Sequence, residues 1–291
     1  MNLRSLFRLV LPAVVLPAAW AADLFDGRSL SGWEGDIKWW RVQDGALTGG
    51  SMTEKIPHNY FLATTRSFQN FDLRLKIKVI GDLATGQINS GVQIRSVRVP
   101  GSTEMAGYQV DAGEKWWGEL YDESRRRRVI GEAADLAAVN AAIRPGDWQD
   151  YRILAEGPRI RSWSNGVAAL DYTEAEPVAR DGSIGIQIHS GGIAQVQVKD
   201  VTITELPPTP GAPTWAQVGL PPPRPPGAAK KKKTASVAPA TPIAPAAVTT
   251  PAVNAQPAFL PAASATPPGP GKDISYNTVT TGPRTPEEQR L

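Results

Sequence analysis

Residues Asn89–Glu123 have the sequence NSGVQIRSVRVPGSTEMAGYQVDAGEKWWGELYDE, in which three strand-like runs alternate apolar and polar side chains. Because successive side chains of a strand point to opposite faces, the polar ones collect on one face. A face of amides, carboxylates, an arginine and aromatic rings suits a polar, hydroxyl-rich ligand better than plain solvent contact. This polar face is predicted to carry Asn89, Gln93, Arg95, Gln109, Asp111, Trp117, Glu119, Tyr121 and Glu123.

A later segment, Ser183–His189, shows the same alternation. Gly185, Gln187 and His189 share one face of the predicted strand, and three isoleucines share the other. We therefore expect Gln187 and His189 to lie outside the core and to join the polar face.

Short alternating segments of this kind continue over most of the chain. Phe71–Val79 alternates five apolar residues with four charged ones, which predicts one face on a core and one in water. Asp44-Gly45 and Asn165-Gly166 are tight-turn signals, and only Asp135–Ile143 is helix-like. The chain is therefore predicted to be all-β, with an antiparallel β-sandwich fold.

The C-terminal part has a different composition. Residues 207–291 contain 20 of the 27 prolines and no long apolar run. Such a segment cannot bury enough apolar surface to offset the entropy lost on ordering, so we predict a disordered tail over 207–291 and one globular domain over 23–206. For the tail's Lys230–Lys233 cluster we expect weak contact with anionic envelope polymers.

Residues 1–22 have the pattern of a secretory signal peptide. Arg4 and Arg8 precede a short apolar run, and Ala19-Trp20-Ala21 fits a cleavage site. Cleavage near Ala21/Ala22 predicts a periplasmic or cell-envelope location, with the extracellular medium as second choice. The apolar run is short and interrupted by proline, so stable membrane insertion is not expected. A buried N-terminal helix is the alternative interpretation.

Charge is distributed unevenly. Residues 23–206 contain 21 basic and 25 acidic residues, so the net charge of +3 comes from the two terminal segments. A mildly acidic domain is not expected to bind nucleic acid. The run Arg125–Arg128 follows Asp122 and Glu123, and we predict a loop with local ion pairs there.

The sequence lacks the residues or motifs that several classes of functional site require. The chain has no cysteine and only two histidines, His58 and His189, so we predict no zinc site and no cofactor. Scattered aspartates neither indicate nor exclude a structural calcium ion. No glycine pattern for phosphate or dinucleotide binding and no nucleophile-elbow serine motif occurs.

Eight segments in order cover nearly all of residues 23–206: LFDGRSLSGW, WRVQDGALTG, FDLRLKIKV, NSGVQIRS, GYQVDAGEKWWGELYDESRRR, PGDWQDYRILAEGPRIRSWSNG, GSIGIQIHSG and VKDVTITEL. They resemble the DUF1080 family, also called the 3-keto-disaccharide hydrolase domain. The resemblance implies a concanavalin-A-like jelly roll with a concave ligand face. It also implies action on glycosides in which one sugar is already oxidised at C3.

That chemistry could use the predicted polar face. A ketone at C3 acidifies the hydrogen on C2, so a base can remove it, the glycosidic oxygen can leave C1, and water can add back. Such a site needs a general base, an acid and a donor to the developing enolate. Asp111 and His189 are the acid/base candidates, followed by Glu123; Arg95, permanently charged, is the donor candidate. The predicted sugar-binding residues are Asn89, Gln93, Gln109 and Gln187, with Trp117 and Tyr121 stacking on the ring.

Simpler roles stay open for these residues. His189 could be a packed strand histidine, Asp111 could cap the turn that follows it, and Arg95 could pair with a neighbouring carboxylate. Because adjacent strand residues face opposite ways, only one of Trp116 and Trp117 can face a groove.

Two functions of different classes fit the sequence. One is an exported enzyme that cleaves 3-keto-glycosides. The other is a non-catalytic carbohydrate-binding or envelope-associated module, because the same fold serves lectins and a fold does not decide function. A structural protein that has kept the fold and lost the activity is a third option.

Overall fold

The computed structural model describes residues 21–223, which form fifteen β-strands and two short helices. The strands make two antiparallel sheets. One hydrophobic core draws on both sheets, so the predicted all-β sandwich of jelly-roll type is confirmed. Most of the predicted leader and the tail beyond residue 223 lie outside the described residues.

One sheet has eight strands. Its spatial order is β13 (Val167–Thr173), β12 (Arg159–Ser164), β11 (Gln149–Glu156), β6 (Phe71–Asp82), β15 (Ile193–Glu205), β4 (Ala46–Ser51) and β3 (Trp40–Gln43), and β1 (Ala21–Asp23) pairs with β15. The alternation predicted for β6 is present, since Phe71, Leu73 and Ile77 are buried whereas Arg74 is exposed.

The other sheet has seven strands and contains the Asn89–Glu123 stretch. Its order is β10 (Val129–Gly131), β9 (Leu120–Glu123), β8 (Met105–Gly113), β7 (Asn89–Arg98), β14 (Ser183–Ile188), β5 (Tyr60–Thr64) and β2 (Trp33–Glu34). The stretch therefore forms three adjacent strands, and β14 pairs with the far side of β7. Strand β9 is shorter than predicted because residues 114–118 form a turn.

The backbone dihedral angles show the two tight turns that the sequence predicts. Asp44 and Gly45 have φ of 52° and 70°, and Asn165 and Gly166 have φ of 48° and 83°. Two successive left-handed residues define the type I′ turn, which matches the twist of the hairpins β3–β4 and β12–β13. Both turn predictions are therefore confirmed.

Helix α1 (Leu136–Ala142) begins after Asp135, whose Oδ1 accepts a 2.9 Å hydrogen bond from the Ala138 backbone N–H. Helix α2 (Trp215–Val218) is a single turn. No helix within residues 21–223 combines the length and apolar character that crossing a membrane requires.

A strap of residues 207–219 follows β15 and packs on the sandwich. Trp215 is 6% exposed, and its Nε1 donates to the Arg95 carbonyl over 3.0 Å. The Asn70 Nδ2 atom donates to the Pro207 carbonyl over 2.6 Å. The prediction that the disordered tail begins at Pro207 was therefore wrong for this segment, because the buried Trp215 and hydrogen bonds such as that from Asn70 hold it on the sandwich.

The end of the β7–β8 hairpin, residues 97–106, folds over the polar face, and we call it the hairpin roof. A bulge between Ile94 and Val97 interrupts the strand register. Beyond the bulge, Met105 packs with Phe61 and Ala63 of β5, which lies three strands from β8. Because Phe61 and Ala63 lie opposite Gln187 and Gly185, the roof covers the β14–β5 side of the polar face.

Candidate functional site

The polar face brings most of the predicted residues together. Gln109 lies opposite Gln93 on one neighbouring strand and opposite Tyr121 on the other. Side chains two residues apart on a strand share a face, which extends the set along each strand. The predicted residues on this face are Asn89, Gln93, Gln109, Asp111, Tyr121, Glu123 and Gln187.

Hydrogen bonds give the glutamine side chains fixed orientations. Ser96 Oγ donates to Gln93 Oε1 over 2.6 Å, and Gln93 Nε2 donates to Gln109 Oε1 over 2.8 Å. Because the Gln109 oxygen accepts, its Nε2 atom is left to donate in the other direction. The amides thus form a directional chain across β7 and β8.

The chain ends on two carboxylates. Gln109 Nε2 donates to Asp111 Oδ1 over 2.7 Å and to Gln187 Oε1 over 3.2 Å. Gln187 Nε2 in turn lies 3.4 Å from Glu123 Oε2. One glutamine chain therefore orients Asp111 directly and Glu123 through Gln187.

Gly91 makes this arrangement sterically possible. It lies between Asp111 and Gln187 on the central strand β7. A Cβ atom at this position would fall 2.5 Å from Gln109 Cγ, closer than real contacts allow. The missing side chain lets Gln109 lie flat across the sheet and reach both partners.

The backbone of Asp111 is held on both sides. Its N–H donates to the Glu119 carbonyl over 3.0 Å, and its carbonyl accepts a 2.8 Å hydrogen bond from the Tyr151 hydroxyl. Tyr151 lies on β11 of the opposite sheet, so a core residue positions this strand end.

Tyr121 contributes a neutral hydroxyl beside the carboxylates. Burial raises its pKa to about 12, and the negative charges of Glu123 and Asp111 act in the same direction. The hydroxyl therefore stays protonated at neutral pH and can donate to a ligand oxygen.

His189 follows β14 and is half-buried. Its Nδ1 lies 2.7 Å from the Ser190 carbonyl oxygen. Because a carbonyl only accepts, Nδ1 carries the hydrogen in this contact, and Nε2 of the neutral ring is the atom that can take up a proton. This contact fixes the orientation of the ring.

Glu104 was missed by sequence reasoning. It lies on the hairpin roof, and both of its carboxylate oxygens are 3.3 Å from Asn59 Nδ2. Asn59 Oδ1 accepts the Ser190 N–H over 3.0 Å, which links Glu104 to the backbone beside His189. No periodic signal could reveal this contact, because it depends on the fold of the roof over three strands.

Arg95 does not lie on the polar face, and that prediction was wrong. It sits in the bulge with φ of 51°, so the alternation of β7 breaks at this residue. Its guanidinium donates to the carbonyls of Gln69 (2.6 Å) and Gly157 (2.8 Å) and to Asn70 Oδ1 (2.9 Å). Burial lowers its pKa to about 10, which still leaves it charged at neutral pH. Arg95 joins the two sheets at the end of the sandwich.

Trp117 also lies away from the polar face, contrary to prediction. It belongs to the 114–118 turn, is 7% exposed and joins the hydrophobic core. Its ring contacts Tyr151 edge to face, with centroids 5.8 Å apart. Glu119 likewise precedes β9 and lies outside the strand. The predicted alternation failed here because the strand begins only at Leu120.

The basic run forms the predicted loop with local ion pairs. Arg125 donates to Asp122 over 2.9 Å, and Arg126 contacts both Asp122 and Glu174. Although burial acts to raise it, hydrogen bonds from Arg126 and other donors hold the pKa of Glu174 down at about 2. These ion pairs hold the 122–128 loop against Glu174, which is a structural role.

Among residues 21–223, no three histidine, aspartate or glutamate side chains converge in a way that could hold a metal ion.

Comparison with known proteins assigns the chain to a family. The model of the 3-keto-α-glucoside-1,2-lyase-like domain matches residues 20–204, more than half of the chain. The chain belongs to this family. The match spans all fifteen strands except the last residue of β15 and confirms the resemblance seen in the sequence motifs. The protein is thus of a carbohydrate-active class.

Solved structures show similar folds at low identity. A Parabacteroides distasonis protein proposed to be a glycosyl hydrolase is 17% identical, with 64% of this chain and 94% of that chain covered and a TM-score of 0.45. The carbohydrate-binding module CBM66 of Bacillus subtilis is 17% identical (60% and 96% covered, TM-score 0.44). A Bacillus subtilis protein of unknown function with a galectin-like fold is 10% identical (62% and 92% covered, TM-score 0.47). A search of the curated proteins finds no match.

Proposed function

We propose that this protein is an exported enzyme that cleaves 3-keto-glycosides by proton abstraction at C2, elimination and hydration. Family membership supports a glucoside oxidised at C3 as the substrate class. The observation that carries the proposal is the pair of carboxylates, Asp111 and Glu123, oriented by one chain of glutamines on the polar face.

The reaction balances without a cofactor. A base takes the proton from C2, the C–H electron pair forms a C1=C2 double bond, and the C1–O bond breaks. The leaving oxygen takes a proton. Water then adds its oxygen to C1 and a proton returns to C2, so the net change is hydrolysis. This route uses a carboxylate as the base, a role open to Asp111 or Glu123, and does not pass through the oxocarbenium-like state that a carboxylate pair stabilises in ordinary glycosidases.

Asp111 and His189 are the proposed acid/base pair, with Glu123 as the second carboxylate candidate. Asp111 is oriented by Gln109, and His189 presents Nε2 for proton transfer. Tyr121 takes the donor role that the sequence assigned to Arg95, because its protonated hydroxyl lies beside the carboxylates where charge develops on the enolate.

The glutamine amides are proposed to bind sugar hydroxyls. Gln93, Gln109 and Gln187 share this face and are at most 3% exposed, and each amide already bonds within the chain. The second lone pair of each amide oxygen and the second N–H of Gln93 and of Gln187 match the acceptor and donor character of a hydroxyl group. Asn89 extends this row at the start of β7.

Export is part of the proposal and rests on the leader pattern of residues 1–22. Ala21 and Ala22 pair with Thr204 and Ile203 of β15, so cleavage between the two alanines would leave Ala22 and Asp23 of β1 on the mature chain. N-terminal sequencing of the protein from a periplasmic fraction tests this, and an uncleaved chain would contradict it.

An activity assay tests the catalytic proposal. The purified protein is incubated with a 3-keto-glucoside and, separately, with its unoxidised parent. We expect sugar release from the keto form alone, lost in Asp111→Asn and His189→Ala and retained in Asp150→Asn, a matched change at an exposed residue of β11. Saturable binding of both compounds without turnover would overturn the enzyme and support a carbohydrate-binding module.

A further inference from the structure

The backbone that follows strand β14 is held by a side chain of the hairpin roof. Glu104 is 8% exposed and Asn59 is 2% exposed. Asn59 Nδ2 lies 3.3 Å from each carboxylate oxygen of Glu104, and Asn59 Oδ1 accepts the Ser190 N–H over 3.0 Å. A buried carboxylate on the roof is thus connected, through one amide side chain, to the residue that follows His189.

The strand register explains why these groups meet. Ile188 of β14 pairs with Tyr60 of β5, so the next residue, His189, lies beside Asn59 in this antiparallel pair. Side chains two residues apart on a strand share a face, so His189 follows Gln187 on the polar face. The roof therefore reaches the polar face at the same point as the proposed acid/base residue.

Ser190 is held on both sides. The peptide group before it donates its N–H to Asn59 Oδ1, and the peptide group after it donates the Gly191 N–H to the Ile56 carbonyl over 2.8 Å. The Ser190 carbonyl placed in this way accepts the hydrogen of His189 Nδ1 over 2.7 Å. The orientation of the imidazole ring thus depends on a backbone that Asn59 helps to fix.

Glu104 determines which way the Asn59 amide faces. A carboxylate group accepts hydrogen bonds, so the NH₂ end of the amide turns to Glu104 and the oxygen end is left for the Ser190 N–H. Without that acceptor, the buried NH₂ group would lose its partner, which is costly, and the amide could turn its oxygen away from Ser190.

Packing of the hairpin roof fixes the place of Glu104 itself. The Glu104 carbonyl accepts the Val99 N–H over 3.0 Å, and Val99 and Ala106 pack with Trp215 of the strap. The neighbouring Met105 packs on β5. The carboxylate is therefore presented from a well-packed segment.

Asn89 lies on the other side of His189 and offers a place for a ligand hydroxyl. Strand β7 pairs Ser90 with Ile188, so Asn89 is the neighbour of His189 in the register. Asn89 Oδ1 is buried and has no hydrogen-bond partner among residues 21–223. A buried acceptor without a donor is costly, so a ligand hydroxyl that donates to it would be stabilising.

We propose that Glu104 is a positioning residue for His189. Through Asn59 and the Ser190 backbone, its carboxylate holds the imidazole as the tautomer with hydrogen on Nδ1, so that Nε2 is the atom that can take up a proton. This inference rests on the proposed function only for the catalytic use of His189, because the positioning itself needs no substrate.

Nitrogen NMR of the histidine side chains tests the positioning without substrate. The chain has two histidines, so the exposed His58 is an internal reference. At alkaline pH, where imidazole rings are neutral, we expect wild-type His189 to show one tautomer and Glu104→Ala to show the averaged ¹⁵N shifts of two. Glu104→Gln keeps an acceptor oxygen for Asn59 and should keep the wild-type spectrum, as should Glu132→Ala, a matched control at an exposed residue. An unchanged single tautomer in Glu104→Ala would overturn the proposal.

Kinetics of the full chain on a 3-keto-glucoside give the second readout. We expect Glu104→Ala to lower kcat about tenfold or more with KM within about twofold, because the ring is displaced while the glutamine amides still bind the sugar. Glu104→Gln should retain most of kcat. A loss that Glu104→Gln shares in full, or one confined to KM, would contradict positioning through the hydrogen bond.

Asn59→Ser interrupts the connection while leaving Glu104 in place, so the test stays readable even if Glu104→Ala folds poorly. We expect Asn59→Ser to give the same averaged His189 shifts, and Glu104→Ala to add nothing further in the Asn59→Ser background. Additive effects of the two changes would show that Glu104 does not act through Asn59.

Failure of this inference and failure of the proposed function give different results. A His189 tautomer that changes in Glu104→Ala and not in Glu132→Ala supports the positioning even if no keto substrate is cleaved. An unchanged tautomer in an enzyme that cleaves the keto substrate overturns the positioning and leaves the proposed function intact.

Discussion

The Tyr151 hydroxyl donates a 2.8 Å hydrogen bond to the backbone carbonyl of Asp111. Tyr151 belongs to the eight-stranded sheet and Asp111 to the seven-stranded sheet, so the bond ties the candidate base to the opposite side of the core. Burial raises the pKa of Tyr151 well above its usual value, and Asp111 adds to this, so the hydroxyl remains a donor. The position of Asp111 is thereby set from within the core.

Tyr151→Phe should lower kcat while leaving KM nearly unchanged, because the carboxylate shifts but the sugar-binding amides remain. The lost bond should cost about 1–2 kcal/mol in the free energy of unfolding. Urea unfolding and steady-state kinetics on a 3-keto-glucoside check both effects. An unchanged kcat would show that Tyr151 does not position Asp111.

Gln109→Leu should disrupt the polar face, because Gln93, Gln187 and Asp111 each lose a hydrogen bond to the same side chain. We expect a loss of about 1–3 kcal/mol in unfolding free energy and a large drop in kcat/KM. Gln87→Leu, a matched change at an exposed loop residue, should affect neither. Wild-type kinetics in Gln109→Leu would contradict the role of the glutamine chain.

Arg95→Met should destabilise the protein by about 3–5 kcal/mol, because it removes the buried donor to the Gln69 and Gly157 carbonyls and one of the two donors to Asn70 Oδ1. Folded protein should keep its kcat within about twofold, since Arg95 is outside the site, whereas loss of an oxyanion donor costs about 100-fold or more. Chemical unfolding with kinetics corrected for folded fraction decides this. A hundredfold fall in kcat would restore the role predicted from sequence.

The lowered pKa of Glu174 predicts that the free energy of unfolding falls at acid pH. Its pKa in the folded protein is about 2, below the ordinary 4.5, so its ion pair with Arg126 contributes stability above pH 4.5 that is lost as the pH falls toward 2. Urea unfolding between pH 7 and pH 2.5 should show this loss, and Glu174→Gln should flatten the curve. An identical curve in the variant would contradict the assignment.

The alternation of polar and apolar residues was sufficient to predict the sandwich and most of its polar face. Gln93, Gln109, Asp111 and Gln187 lie where the period of two places them, because they occur in regular parts of their strands. Periodicity is a reliable guide where the backbone stays extended.

The errors occur where the backbone departs from a regular strand. Arg95 lies in a bulge and Trp117 in a turn, and neither irregularity leaves a signature in the alternation. Glu104 and Trp215 act through contacts between segments distant in sequence, on the hairpin roof and the strap. Long-range packing of this kind cannot be deduced from a local pattern.

The origin of the C2 hydrogen in the product tests the central claim most directly. A 3-keto-glucoside is cleaved in D₂O, the released sugar is trapped at once by reduction, and deuterium at C2 is measured by mass spectrometry or NMR. Released sugar incubated alone corrects for spontaneous exchange. Elimination followed by hydration predicts one solvent deuterium at C2 in each product molecule. Release of sugar that retains its original C2 hydrogen would contradict the mechanism.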